Sequence, residues 1–242
     1  MLWILTNIET LDPEAVLRLL PVLSESRRER VLRMRHGPTR VQSVLAELLL
    51  RCALREEYGL RELPRIETGE KGKPFFPDRP DLHFNLSHCS AAVACALGTA
   101  PLGVDVQEVR SVCRDKHCLS AQPDEAVPRA GKTPPIYRVL SEPERAWVEA
   151  GQTPAEQDRR FTAVWTCKEA WGKALGVGAL YDLKTTCFLP LVGSWEQSGR
   201  LFTHLELEGA FLTLCASSGL PVCEPDPAEL LNSLNTGMEV SS

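Results

Sequence analysis

Three short clusters carry side chains able to do chemistry. The first is Gly103-Val104-Asp105-Val106-Gln107. An acid inside an apolar strand is costly unless a cation or hydrogen bonds compensate it. The two-residue alternation of a strand puts Asp105 and Gln107 on one face. Both offer oxygens of the type Mg²⁺ accepts, although an exposed strand end would account for the pair equally well. The second cluster is Trp165-Thr166-Cys167-Lys168-Glu169-Ala170-Trp171-Gly172-Lys173. Glu169 and Lys173 stand four apart and share a helical face, as an ordinary surface ion pair also would. Two tryptophans and a glycine in the same turns point to a tightly packed segment, because glycine inside a helix costs about 1 kcal/mol relative to alanine. The third is Gly72-Lys73-Pro74 followed by Phe84-Asn85-Leu86-Ser87-His88. Ser87 and His88 end a strand and point to opposite faces, so they form no nucleophilic dyad. Each can still hydrogen-bond a phosphate.

The elements that must position these clusters can be read from periodicity and caps. Residues 2–8 predict a strand, and Asp12-Pro13 opens a short helix. Ser24 caps a helix rich in arginine, and Thr39 to Tyr58 predicts a long amphipathic helix closed by Gly59. Leu82–Leu86, Ala92–Leu97 and Leu102–Val106 read as buried strands. Ser141-Glu142-Pro143-Glu144 is a capping box opening a helix, and Arg160 to Leu175 is a second long helix stopped by Gly176. Strands are expected at Thr185–Leu189, Leu201–Leu207 and Phe211–Ala216. The order strand, helix, helix, strands thus occurs twice. It predicts an α+β chain of two similar halves related by a pseudo-twofold, with a cleft between them, where ligands prefer to bind. The halves are residues 1–101 and 102–223. Residues 111–136 have no period and read as a loop insertion. Within it, Cys113, Asp115, His117 and Cys118 fit no common zinc spacing. Residues 224–242 read as a short helix with a frayed polar tail.

Composition narrows the function classes. The chain has 242 residues, 43% apolar and 24% charged, which suits an ordinary globular protein. No stretch approaches the ~20 apolar residues of a membrane span, and the first residues read as a strand rather than a signal peptide. Nine cysteines, an odd number without a C-x-x-C pair, favour a reduced, cytoplasmic protein over a disulfide framework. A net charge of −5 argues against general nucleic-acid binding. Yet Arg27, Arg28, Arg30, Arg33, Arg35 and Arg40 crowd into one short stretch, which can hold a small polyanion or simply be a solvated helix face.

In this order the three clusters resemble the 4′-phosphopantetheinyl transferases of the larger, surfactin-synthetase-activating type. That family carries a Gly-[Val/Ile]-Asp strand and, further along, Trp-x-x-Lys-Glu-[Ala/Ser]-x-x-Lys. Here these are Gly103-Val104-Asp105 and Trp165 to Lys173, with Gly72-Lys73-Pro74 and Phe84 to His88 matching upstream. The resemblance covers about residues 1–217 and implies transfer of phosphopantetheine from coenzyme A to a serine of an acyl or peptidyl carrier protein. It implies that Arg27 and Arg30 reach the 3′-phosphate with Ser43, Ser87 and His88 nearby. Lys73 would lie by the adenine nucleotide and Lys173 at the pyrophosphate. Asp105, Gln107 and Glu169 would hold Mg²⁺, and Glu169 is also the candidate base, the two roles being left open. The family's bacterial pattern has Asp-x-Glu on this strand, so Gln107 removes one negative charge and implies a weaker metal site. Two similar halves in one chain make a monomer sufficient. A non-catalytic binding module and a metal-dependent phosphohydrolase are the rival readings.

Overall fold

A computed structural model describes residues 1–111, 136–178, 183–189 and 192–231. Leu2–Thr6, apolar and alternating between two buried faces, forms β1. Asp12 caps α1 (Pro13–Leu17), its carboxylate accepting from the N–H groups of Glu14 and Ala15. Then come α2 (Glu25–Arg33) and α3 (Gly37–Tyr58), which Gly59 ends in the left-handed region at φ 66°. A small hairpin, β2 (Glu67–Thr68) and β3 (Pro74–Phe75), precedes β4 (His83–His88), β5 (Ala92–Gly98) and β6 (Gly103–Glu108). After residue 135 the chain forms α4 (Ile136–Val139), α5 (Glu142–Glu149) and α6 (Pro154–Leu175). It continues as β7 (Gly193–Gln197), β8 (Arg200–Leu207), β9 (Ala210–Ala216) and β10 (Val222–Cys223), with a helical turn at 227–231.

Two four-stranded sheets result, in the orders β10-β1-β5-β4 and β6-β9-β8-β7. The alternation of β1 and β5 divides their side chains between two cores. Trp3, Leu5, Val93, Cys95 and Leu97 pack with Val44, Leu45, Leu48 and Leu49 of α3. Leu2, Ile4 and the alanines 92, 94 and 96 meet Val104, Val106, Leu212 and Leu214 of the other sheet. On the far side of that sheet, Cys167, Ala170 and Ala174 of α6 pack on Phe202 and Cys215. The layers therefore run helix, sheet, sheet, helix, and strands sandwiched on both faces read as nearly continuous apolar runs. Between the sheets, β4 and β6 are joined by side chains instead of a backbone ladder: Val104 N–H donates to Asn85 Oδ1 at 2.8 Å and Val106 N–H to Ser87 Oγ at 3.1 Å. The chain finally returns to its beginning. β10 pairs parallel with Leu2 and Trp3, and Leu230 and Leu231 complete the core under α3.

Mixed α and β structure is as expected, and both long helices have 22 residues and end at the predicted glycines. They start earlier than periodicity suggested, at Gly37 and Pro154, the latter capped by Thr153. The strand expected at Thr185–Leu189 does not form, and β7 and the β2–β3 hairpin, which had no apolar alternation, do. In the 183–189 stretch the backbone is satisfied by side chains. Phe188 N–H donates to Glu144, Lys168 donates to the carbonyls of Leu183 and Thr186, and Gln197 donates to that of Cys187. The proposed insertion, with Cys113, Asp115, His117 and Cys118, and the tail beyond 231 lie outside the described residues. The seven cysteines within them are all free, and no helix there is long and apolar enough to cross a membrane.

Candidate active site

β6 and α6 are pressed together at Gly103. A β-carbon there would collide with Ala170 O and Ala174 N of the helix, so the glycine of Gly-Val-Asp sets the close approach of the two elements. Strand alternation then turns Asp105 and Gln107 toward the same helix. Glu169 and Lys173, one turn apart, face them.

Asp105 is buried, and its two oxygens are fully engaged. Oδ1 accepts from Lys173 Nζ at 2.6 Å and from Ser87 Oγ at 3.0 Å, while Oδ2 accepts from Gln107 Nε2 at 3.0 Å. Lys173 also donates to Val104 O at 3.0 Å and Ser87 Oγ at 3.2 Å. Glu169 differs: its carboxylate accepts no hydrogen bond from a described residue. Burial and then the Asp105 charge raise its carboxyl to about 7, against the opposing pull of Lys173. Two carboxylates that repel each other in a partly buried site form an electrostatic load that a divalent cation relieves. Asp105, Glu169 and the free carbonyl oxygen of Gln107 are hard donors. No group of three His, Cys, Asp or Glu that could hold a metal exists among the described residues. Mg²⁺ keeps several waters and takes one or two carboxylates together with substrate phosphates, a demand that Asp105 and Glu169 can meet. The residues present fit the ion.

Positive charge converges beside this pair. Arg27 donates to Ser43 Oγ at 3.3 Å and lies 3.6 Å from buried Glu47, and burial holds its guanidinium below its usual range. His88 shares a 3.1 Å hydrogen bond with Gln42 Oε1. Its pKa falls to about 4, first through burial and then through the charges of Lys173, Arg27 and Arg30. A buried neutral imidazole beside three cations marks a spot prepared for an anion. Arg27, Arg30, Ser43, Ser87, His88, Asp105, Gln107, Glu169 and Lys173 are thus brought to one neighbourhood.

Lys73 is placed differently. Its ammonium donates to the carbonyls of Leu102 at 2.9 Å, Lys173 at 2.6 Å and Ala174 at 3.4 Å. Next to it a cavity of about 450 Å³ opens between the β2–β3 hairpin, the start of β4 and the end of α6. Several supporting groups had escaped sequence reasoning: Asn85 and Gln42, which hold β6 and His88, and Glu47, which anchors Arg27. For Glu47 a signal existed, the i,i+4 spacing of Ser43, Glu47 and Arg51 on one helix face.

A family model for the 4′-phosphopantetheinyl transferase superfamily matches residues 101–215. A Bacillus subtilis 4′-phosphopantetheinyl transferase is 28% identical over 163 residues, 66% of this chain and 63% of the relative. A Paxillus involutus relative, 4′-phosphopantetheinyl transferase pptA, is 31% identical over 180 residues, 68% of this chain and 64% of its own length. The 4′-phosphopantetheinyl transferase AcpT of Escherichia coli O157:H7 is 28% identical over 200 residues, 82% and 86% of the two chains. The chain thus spans slightly less than two thirds of the Bacillus and Paxillus proteins. The matched stretch holds both the Gly103–Gln107 strand and the Trp165–Lys173 helix, the two elements whose contact builds the site. Residues 101–215 match the 4′-phosphopantetheinyl transferase superfamily, and transferases of that name align with 66–82% of the chain.

Proposed function

We propose that this protein transfers the 4′-phosphopantetheine arm of coenzyme A to a serine of an acyl or peptidyl carrier protein and releases 3′,5′-ADP. The observation that carries this reading is the meeting of Asp105 and Glu169 across the β6–α6 contact, with Lys173 between them and the Arg27–Arg30–His88 cluster alongside. In the reaction the serine hydroxyl oxygen bonds to the pantetheine-bearing phosphorus, and the bond from that phosphorus to the 3′,5′-ADP oxygen breaks. Bound Mg²⁺ would neutralise charge on the pyrophosphate and leaving group. Arg27 and Arg30 grip the 3′-phosphate, arginine forks being matched to phosphate oxygens. Ser43, Ser87 and His88 line the same place, and Lys173 reaches the pyrophosphate. Asp105, held on both oxygens by hydrogen bonds, keeps its position, whereas Glu169, whose carboxylate accepts no hydrogen bond from a described residue, can take the serine proton directly or through water. The hairpin beside Lys73 borders the nucleotide.

The same reading takes the protein as the larger, surfactin-synthetase-activating type, working as a cytoplasmic monomer. Residues 1–101 and 102–223 form its two related halves. Two four-stranded sheets, each backed by a long helix, support that division. The test mixes the protein with coenzyme A, Mg²⁺ and apo carrier domains and follows the carriers by mass spectrometry. Addition of the phosphopantetheine mass to the carrier serine is expected. Release of free phosphopantetheine without carrier modification would instead identify a hydrolase, and coenzyme A binding without turnover would identify a binding module.

A further inference from the structure

We infer that Lys73 is a positioning residue: its ammonium ties the end of α6 to the start of β6 and to the β2–β3 hairpin, and so sets the spacing of the two carboxylate-bearing elements. The lysine leaves the hairpin at Gly72-Lys73-Pro74 and spans the gap to three main-chain carbonyls. Two of them, on Lys173 and Ala174, belong to the last turn of α6, where a cation is favoured; the Lys173 carbonyl also accepts the N–H of Gly176 at 3.3 Å. The third, on Leu102, immediately precedes Gly103. One ammonium with three donors therefore joins both walls of the close contact that Gly103 permits.

The surroundings are built for this tie. Gly176, which ends α6 at φ 68°, lies against the Lys73 chain, where an added β-carbon would sit 3.4 Å from Cδ. Gly178 follows, and a β-carbon there would come within 2.8 Å of Lys71 O. The hairpin thus docks on the end of α6 on both sides of the lysine. Its ammonium faces the carbonyls, and Gly69, Glu70 and Lys71 line the neighbouring cavity. Burial and the nearby Arg200 charge lower its pKa to about 8, in keeping with an enclosed position. The tie itself stands apart from any reaction; its consequence for transfer rests on the function proposed above.

Hydrogen–deuterium exchange on the protein alone tests the tie. In Lys73→Met, amides at 67–75 and 173–177 should exchange about tenfold faster, as expected for loss of hydrogen bonds made by a charged donor, while 41–54 in α3 stays unchanged. Lys73→Arg should restore part of the protection. Unchanged exchange at 173–177 in Lys73→Met overturns the inference. Should that variant not fold, the ¹⁵N–¹H signal of the Lys73 ammonium in the unaltered protein decides. Slow proton exchange supports the tie, and a rate equal to that of exposed lysines overturns it. In the transfer assay, Lys73→Met should lower kcat by the same factor with coenzyme A and with 3′-dephospho-coenzyme A. A rise in KM seen with coenzyme A alone would make Lys73 a 3′-phosphate ligand and overturn the positioning role. If the unaltered protein transfers nothing, the proposed reaction fails while the exchange result still decides the tie.

Discussion

Beside each long helix lies a short one whose leading serine is held by a buried glutamate, and the two glutamates are compensated in opposite ways. Glu47 accepts from Ser24 N–H at 2.6 Å and Ser24 Oγ at 2.7 Å. Glu144 does the same for Ser141, at 2.7 and 2.8 Å. Glu47, however, lies on the long helix α3, and its cations Arg27 and Arg51 keep 18% and 21% of their side chains exposed. Glu144 lies on the short helix itself, and its cation is Lys168 of α6, 2.9 Å away, with both side chains wholly buried. Beside α3 the acid holds arginines that stay partly exposed. Beside α6 the lysine is enclosed together with its acid. The first arrangement is partly wet and keeps cations at the surface, and the second is dry.

The sharpest way to break this comparison is Lys168→Met. It leaves Glu144 buried without its cation and should cost about 3–5 kcal/mol in urea unfolding. Adding Glu144→Gln should recover more than half of that loss. A second test concerns His204, buried in the second half with Nδ1 bonded 2.8 Å from Thr213 Oγ1. Burial lowers its pKa to about 4, below the unfolded value of about 6.5. The unfolded chain therefore binds the proton first as pH falls, and stability is lost between about pH 6.5 and pH 4. At pH 5 this amounts to about 2 kcal/mol relative to pH 7. His204→Gln should remove that loss, as measured by paired urea melts at the two pH values. A third test concerns Gln107. Gln107→Glu adds a charge beside Asp105 and should tighten Mg²⁺ binding by about tenfold or more, since a unit charge near a divalent ion is worth roughly 2 kcal/mol even at the dielectric of water. Unchanged Mg²⁺ dependence would show that position 107 does not face the ion. The smallest effect is expected at Arg51. Arg51→Met is the counterpart of the lysine change in the first half. Because Arg27 remains and the site is partly wet, it should cost no more than about 1 kcal/mol; a loss equal to that of Lys168→Met would erase the distinction between the halves.

What could be read in advance divides along the same line as local and long-range chemistry. Ser141 with Glu144, Asp12 with Pro13, and the glycines ending both long helices act within a few residues, and each was legible. The Asp105–Glu169 meeting was legible only through the paired motif, because nothing within β6 or α6 alone brings them together. Ser24 was expected to cap α2 with its side chain, but its hydroxyl goes to Glu47, 23 residues away. For Lys73 only a place by the adenine nucleotide was implied, because the carbonyls that hold its ammonium lie 29 to 101 residues further along. The missing strand at Thr185–Leu189 has the same origin: its apolar composition suits a ladder, but Lys168, Glu144 and Gln197 take its backbone groups first.

The parallel pairing of β10 with β1 has a mechanical meaning. The segment that follows β9 of one sheet ends as an edge strand of the other, so the two sheets are buckled together by the chain itself. Prising them apart would have to peel Val222 and Cys223 from Leu2 and Trp3.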